Sequence, residues 1–497
     1  MGISANFIAW LKRCMPGSTR RSPEGPSLLF LQHELDNAPV ANESTRPPDS
    51  ETISLRSITL SEIYIGASAP SFAHNLGRFK NAKSTTSPSA HIKNCIAARK
   101  IAIGHFVVVK PNDAQRPSRT VLGANLPPGI SKVHCTYFVF GPSLVALIAT
   151  FEVHGDLQGV ITKELLRDVA PEIQSNDDGS LRVLTVLDKK RSAVETATRS
   201  FTAFCQSWLS DQLPGSFGTI EPKQIPSTLG VTFEELDFSS TTFPDYARAI
   251  GIEQVSHAVR FDAHPYVTVR RPIGDEVPYR RLLAFNENDA RSDGWITDFE
   301  LSSIAIHMLD GVTSLISALL CSYDQFERRL QKIRLTYNTF EISRKPKVKR
   351  MLNLRAGLLM ISRDIACFKA DLLIDLSTSS FLWDGYQSIT QVPLRPGFAA
   401  STSVPITAWF SALQSRQEIS HFEQEELIND LHEFSETASD ITNHYLNASL
   451  AWYTLALLVL TVVAVIFGFL GLSENQHNAP IINQTTTTTT TTTRPSP

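Results

Sequence analysis

Two histidine–glutamate pairs, His421 with Glu425 and His432 with Glu436, stand four residues apart. That spacing stacks both side chains on one helix face, where they could share a metal ion. No third ligand is spaced to complete either site, so ordinary surface pairing is the expectation and no metal is assigned. Asp262-Ala263-His264 is too short a pattern to specify acid–base catalysis, and a hydrogen-bonded structural histidine is expected there. The phosphate loops G-x-x-x-x-G-K-[ST] and G-x-G-x-x-G, the zinc helix H-E-x-x-H and the hydrolase elbow G-x-S-x-G are absent from the sequence. No nucleophile and no cofactor is named, and the reading leans from catalysis towards binding.

Charge is segregated along the chain although the formal net charge is only −3. Between Tyr64 and Thr150 ten Lys and Arg residues are set against one acid, Asp113, whereas Gln417 to Ser449 holds eight acids and no base. A basic stretch can bind anionic lipid headgroups or another polyanion, each base near a membrane surface contributing about 1 kcal/mol. The plainer reading is a solvated face, paired internally with the acidic stretch. Anion contact would fall to Arg99 and Lys100, and to the interhelical cluster Arg344, Lys345, Lys347, Lys349 and Arg350. No nucleic-acid motif accompanies them.

The elements that must carry these residues are legible in part. Residues 1–55 are rich in Pro, Ser and Asn without periodicity, which predicts a disordered lead-in. Residues 56–290 predict an α+β domain. Val133 to Phe140 and Leu144 to Val153 are β-rich runs joined by Gly141-Pro142-Ser143, a hairpin whose second strand is apolar enough to be central. A short helix is expected at 159–169, a strand at 181–187, and a longer helix at 192–213 with Val194, Ala197, Phe201, Phe204 and Trp208 on its apolar face. Strand structure is expected again at 258–270. Residues 298–449 predict long helices: Leu315, Leu319, Phe326, Leu330 and Ile333 follow a near-heptad register with Ser322 in a polar slot, Pro346 interrupts, and a second helix follows from about 349 to 376. Residues 377–405 read as a loop. The six cysteines lack any paired spacing, which predicts reduced thiols rather than a disulfide framework.

Leu450 to Leu472 carries no charged side chain, and about 20 such residues in a helix cross a bilayer. Upstream, Leu427, Leu431, Phe434, Ala438, Ile441, Tyr445, Ala448 and Trp452 alternate steps of four and three, a heptad seam that predicts self-association. Neither Pro nor Gly falls between Ala408 and Phe467, so a rod continuous with the membrane helix is expected. With no secretory signal at the N-terminus, the bulk of the chain is expected to stay in the cytoplasm. The tail 473–497, with Asn483-Gln484-Thr485 and nine successive Thr, would cross as a disordered polar end.

The order of mixed domain, long helices and a rod entering the membrane resembles that of CorA-type cation channels. The resemblance implies an oligomeric channel with Trp452 to Leu472 lining a pore; Gly471-Leu472-Ser473 stands where that family carries Gly-Met-Asn, and no second membrane helix follows. The leading expectation is a single-pass, C-terminally anchored, homo-oligomeric membrane protein that binds or scaffolds through its α+β domain. An enzyme of unrecognised fold is the remaining alternative.

Overall fold

The computed structural model describes residues 25–80, 87–113, 120–175, 181–220, 222–236, 243–252, 259–261, 264–270, 280–288, 301–341, 348–376, 389–391, 403–404, 447 and 449–465. The chain forms two compact units, residues 1–336 with 357–425 and residues 337–356 with 426–497.

Part of the stretch expected to be disordered is helical. Helix α1 spans Gly25–Ser44 despite Pro39 in its interior. What sequence composition hides is tertiary burial: Leu31 is sealed against Ile173, with Leu35, Leu181 and Val183 packed around them. Ile173 and the latter two belong to the antiparallel hairpin formed later in the chain by β6 (Glu172–Ser175) and β7 (Leu181–Leu184). A lone two-stranded ribbon is marginal in water, so α1 and the hairpin stabilise one another.

Strand β1 (Ser54–Ile65) is buried along its whole length, the pattern of a central strand covered on both faces. Helices α2 (Ser68–Leu76) and α3 (Pro88–Ala98) follow, then β2 (Ala102–Val109), β3 (Val121–Gly123), β4 (Ile130–Val139) and β5 (Leu144–Val153). The predicted hairpin is β4–β5, turning through 140–143, and β5 lies beside β1 in the sheet interior. Helix α4 (Val160–Leu166) precedes the β6–β7 hairpin, and α5 (Val186–Gln212) starts six residues earlier than its apolar pattern predicts. The cause is a capping box, in which Thr185 Oγ1 accepts from the Asp188 amide while the Asp188 carboxylate accepts from the Thr185 amide. Next come β8 (Ser227–Phe233), the short α6 (Asp245–Ile250), β9 (Val259–Phe261), β10 (His264–Arg270) and β11 (Arg280–Asn286). Helix α7 (Leu301–Glu341) lies where the near-heptad register places it and α8 (Val348–Leu376) where a second helix is expected after Pro346, and β12 (Ile389–Gln391) and β13 (Ser403–Val404) add short strands to the stretch expected as loop.

The main sheet runs β13-β12-β9-β10-β11-β8-β1-β5-β4-β2-β3 among the described residues. It is mixed, because β8 pairs with β11 and β2 with β3 in parallel while the other pairs are antiparallel. Successive residues of a strand point to opposite faces, and the first two of β11 show what covers each face. Arg280 reaches Thr198 of α5 at 2.6 Å, whereas Arg281 reaches Ser314 of α7 at 2.6 Å. Helices therefore cover both faces of a mixed sheet, an α+β fold. On the α7 side, Leu315, Leu319, Ser322, Phe326, Leu330 and Ile333 are all buried, and Phe368 of α8 meets the Tyr323 and Phe326 rings edge-on.

The apolar face expected for α5 is displaced. Phe204 is 58% exposed, and the buried line is Val194, Thr198, Thr202, Cys205, Gln206 and Leu209. Helix periodicity follows hydrophobicity, but this helix buries polar side chains that are already satisfied: Thr198 and Thr202 hydroxyls donate to the carbonyls four residues back, and Gln206 donates to the Ile225 carbonyl. One turn before Val194, Lys190 is fully buried with its ammonium donating to the Leu165 carbonyl at 2.6 Å and the Asn42 carbonyl at 3.3 Å. These are carbonyls of the last turns of α4 and α1, where a cation is favoured. Burial pushes the Lys190 ammonium below its usual range, opposed by the nearby Asp168 charge. Lys190→Met should cost about 2 kcal/mol, because both carbonyls keep their burial and lose their donor; a urea midpoint measures it.

Among the described residues no helix is long and apolar enough to cross a membrane. Of the expected span 450–472, residues 450–465 are helical with every described side chain exposed, and 466–472 lie outside the described residues.

Candidate functional site

Arg99 ends α3 in the left-handed region at φ 51°, the single non-glycine residue with positive φ among the described residues, and its side chain and that of Lys100 are exposed. Its backbone role is thus to stop the helix. Lys349 and Arg350 fall in the first turn of α8, and Arg344, Lys345 and Lys347 lie outside the described residues. Two bases of the Tyr64–Thr150 stretch are engaged locally: Lys80 donates to the Pro111 carbonyl and Lys132 pairs with Glu152 at 3.2 Å. Of the proposed seam, Leu427, Leu431, Phe434, Ala438, Ile441, Tyr445 and the side chain of Ala448 lie outside the described residues, while Trp452 is helical and 72% exposed. Both histidine–glutamate pairs also lie outside them.

What the fold does assemble is a set of buried charges in long-range clamps. Glu62, the lone acid of β1, is fully buried and accepts from the amides of Ile63, Phe217 and Gly218 at 2.8–2.9 Å. Desolvation nonetheless raises its pKa to about 7 against the lowering effect of those three donors. Asp371 of α8 accepts from both the amide and the hydroxyl of Ser143 at 2.7 and 2.8 Å, pinning the β4–β5 turn. Arg56 pairs with Glu287 at 2.9 Å with both side chains buried. Each clamp joins segments 150 or more residues apart.

One arrangement carries nucleophile-like chemistry. His91 and Cys95 sit one turn apart on α3, sulfur to Nε2 3.6 Å, and His91 Nδ1 lies 2.7 Å from the Tyr137 hydroxyl. The spacing is visible in the sequence, but nothing there marks Tyr137 as third member. Burial pushes the Cys95 thiol up and the Tyr137 hydroxyl to about 12, so the sulfur is held as a thiol. Cys135, Cys205 and Cys321 are buried free thiols raised further by desolvation. Among the described residues no group of three His, Cys, Asp or Glu side chains is placed to hold a metal ion. None of these four thiols is thereby activated for attack.

A cavity of about 40 Å³ lies on the α5 side of the sheet. Leu229 and Val231 of β8 and Leu282 of β11 form its floor, and Ile161 and Val194 its walls. Its polar lining is Arg191, Glu195, Thr198 and Arg280. Arg280, 5% exposed, donates to Thr198 Oγ1 at 2.6 Å and lies 3.5 Å from Glu195 Oε1. Glu195 also pairs with Arg199 one turn along α5, and the Arg191 guanidinium donates to the Arg248 carbonyl at 3.1 Å. No sequence motif announces this cavity, since its polar residues come from α5 and from a strand some 80 residues later. An apolar pocket with a few convergent polar groups is the usual form of a small-molecule site.

No family model, curated protein or solved structure matches the chain.

Proposed function

We propose that the protein is a single-pass membrane protein, anchored near its C-terminus, whose α+β domain acts by binding. The observation that carries this reading is the terminal helix. From 449 to 465 every side chain is exposed and none is charged, and a helix apolar all round requires a partner or a lipid environment. Its two threonines support the same reading: Thr454 and Thr461 donate back to the Leu450 and Leu457 carbonyls at 2.7 Å, so neither hydroxyl depends on water. The uncharged run continues in sequence to Leu472, long enough to span. Binding is favoured over catalysis because the buried acids hold backbone amides and the buried thiols are disfavoured as nucleophiles.

Alkaline carbonate extraction tests the anchor. The full chain should remain in the membrane pellet, and a Leu457→Arg, Leu460→Arg variant should move to the supernatant; wild type released by carbonate alone overturns the reading. The seam from Leu427 to Trp452 supports self-association, so the detergent-solubilised mass should be a multiple of 55.0 kDa. A CorA-type channel is the second reading, favoured by the order of mixed sheet, long helices and terminal apolar helix. Cation flux into liposomes carrying a purified oligomer would select it over a binding protein.

A further inference from the structure

The geometry points to the cavity beside Arg280 as a binding site for a short-chain aliphatic monocarboxylate. Its lining is chemically divided. Leu229, Val231 and Leu282 present an apolar floor, which suits a few methylenes and offers nothing to a sugar or a phosphate. At one end stands Arg280, whose planar fork matches a carboxylate and stays charged when buried. The volume of about 40 Å³ limits the guest to a group of a few heavy atoms beyond its headgroup.

Two of the partners of Arg280 indicate how the guest enters. Glu195 Oε1 lies 3.5 Å from Arg280 Nη1, beyond a good charged hydrogen bond, while the same oxygen is held closely by Arg199. The Glu195 side chain is 33% exposed and that of Arg280 6%, so the cavity leads from a solvent-facing carboxylate to a buried guanidinium. A ligand carboxylate takes the position at Arg280 that Glu195 holds loosely, and Glu195 keeps its ion pair with Arg199. Arg280 is partnered before and after, so no buried charge is stranded during the exchange. Thr198 Oγ1, already 2.6 Å from Arg280, fixes the fork. This inference concerns the α+β domain alone and stands apart from the membrane reading.

The test is calorimetric and thermal titration of the full-length protein in detergent with sodium butyrate, and with butanol, inorganic phosphate and sodium octanoate. Butyrate should bind saturably and raise the melting temperature, whereas butanol lacks the headgroup, phosphate lacks the tail and octanoate exceeds the volume. Glu195→Gln keeps the shape of the side chain while removing its charge, and should tighten butyrate about threefold, the worth of the weak ion pair that no longer competes. Arg280→Met should abolish binding. If that variant fails to fold, Arg280→Lys, which keeps the charge without the fork, should weaken binding in its place. Absence of a saturable butyrate signal, equal response to butanol, preference for phosphate, or weaker binding in Glu195→Gln each overturns the assignment.

Discussion

Gly215→Ala is expected to cost about 4 kcal/mol, most of the margin of a domain at the low end of the ordinary range of roughly 5–15 kcal/mol. The added Cβ would stand 2.3 Å from Glu62 Cγ, 2.5 Å from Cδ and 2.6 Å from Oε1. The carboxylate cannot yield, because it is fully buried and held by three backbone amides, two of them in the segment that follows Gly215. Moving it forfeits charge-assisted hydrogen bonds worth about 1.5–3 kcal/mol each and leaves the amides buried without an acceptor. The same cage sets a pH dependence. Glu62 titrates near the ordinary glutamate value of 4.5 in the unfolded chain and at about 7 in the folded one, chiefly through desolvation. Between those values the folded state binds the extra proton, so the Glu62 contribution is fully present below 4.5 and is lost as pH rises through 7. Its size is about 3 kcal/mol. Urea midpoints at pH 5 and pH 8 read it, and Glu62→Gln, which has no proton to lose, should shrink the difference between them.

The second large effect is expected at the β4–β5 turn, at the end of the β1–β5 pair nearer Glu62. Asp371→Ala removes the acceptor of both the Ser143 amide and hydroxyl, and with it the tie between α8 and the β4–β5 turn. A loss of about 3 kcal/mol is expected, together with faster hydrogen exchange at Phe140, whose amide closes the turn on the Leu144 carbonyl. Asp371→Asn retains one acceptor oxygen and should lose less than half as much. Gly141→Ala should resemble the alanine variant rather than the asparagine one, since its Cβ would sit 2.4 Å from Asp371 Cγ. A mild phenotype for Gly141→Ala would mean that the turn and α8 separate readily, contrary to the packing described.

Local pattern carried the sequence a definite distance. The β4–β5 hairpin was legible because turn residues and β-rich runs are neighbours, and α7 because its apolar register is sustained. Helix α5 was legible in kind but not in orientation: Thr198, Thr202 and Gln206 are buried in place of Phe204, since hydrogen bonds inside the helix and to Ile225 make polar burial cheap there. Helix α1 was missed because its stability comes from Ile173 and its hairpin, far along the chain, and its prolines argue against it locally. The clamps at Glu62 and Asp371 and the cavity at Arg280 were invisible for the same reason. One signal was available: Glu62 is a solitary acid in SLRSITLSEIYI, and an ionisable residue in a strand buried on both faces must have its partners prepared elsewhere.

The position of β1 also sets the order in which the protein can be made. Its partner β5 lies about 90 residues later, with Ser57 opposite Glu152, and its partner β8 about 170 residues later, with Leu60 opposite Ser227. A nascent chain emerging at about 5–20 residues per second therefore carries β1 unpaired on one edge for some ten seconds or more after it appears. During that interval β1 and β5 present an open edge, a template for any other extended chain. Pairing over such separations must first meet the entropic cost of loop closure, which slows folding.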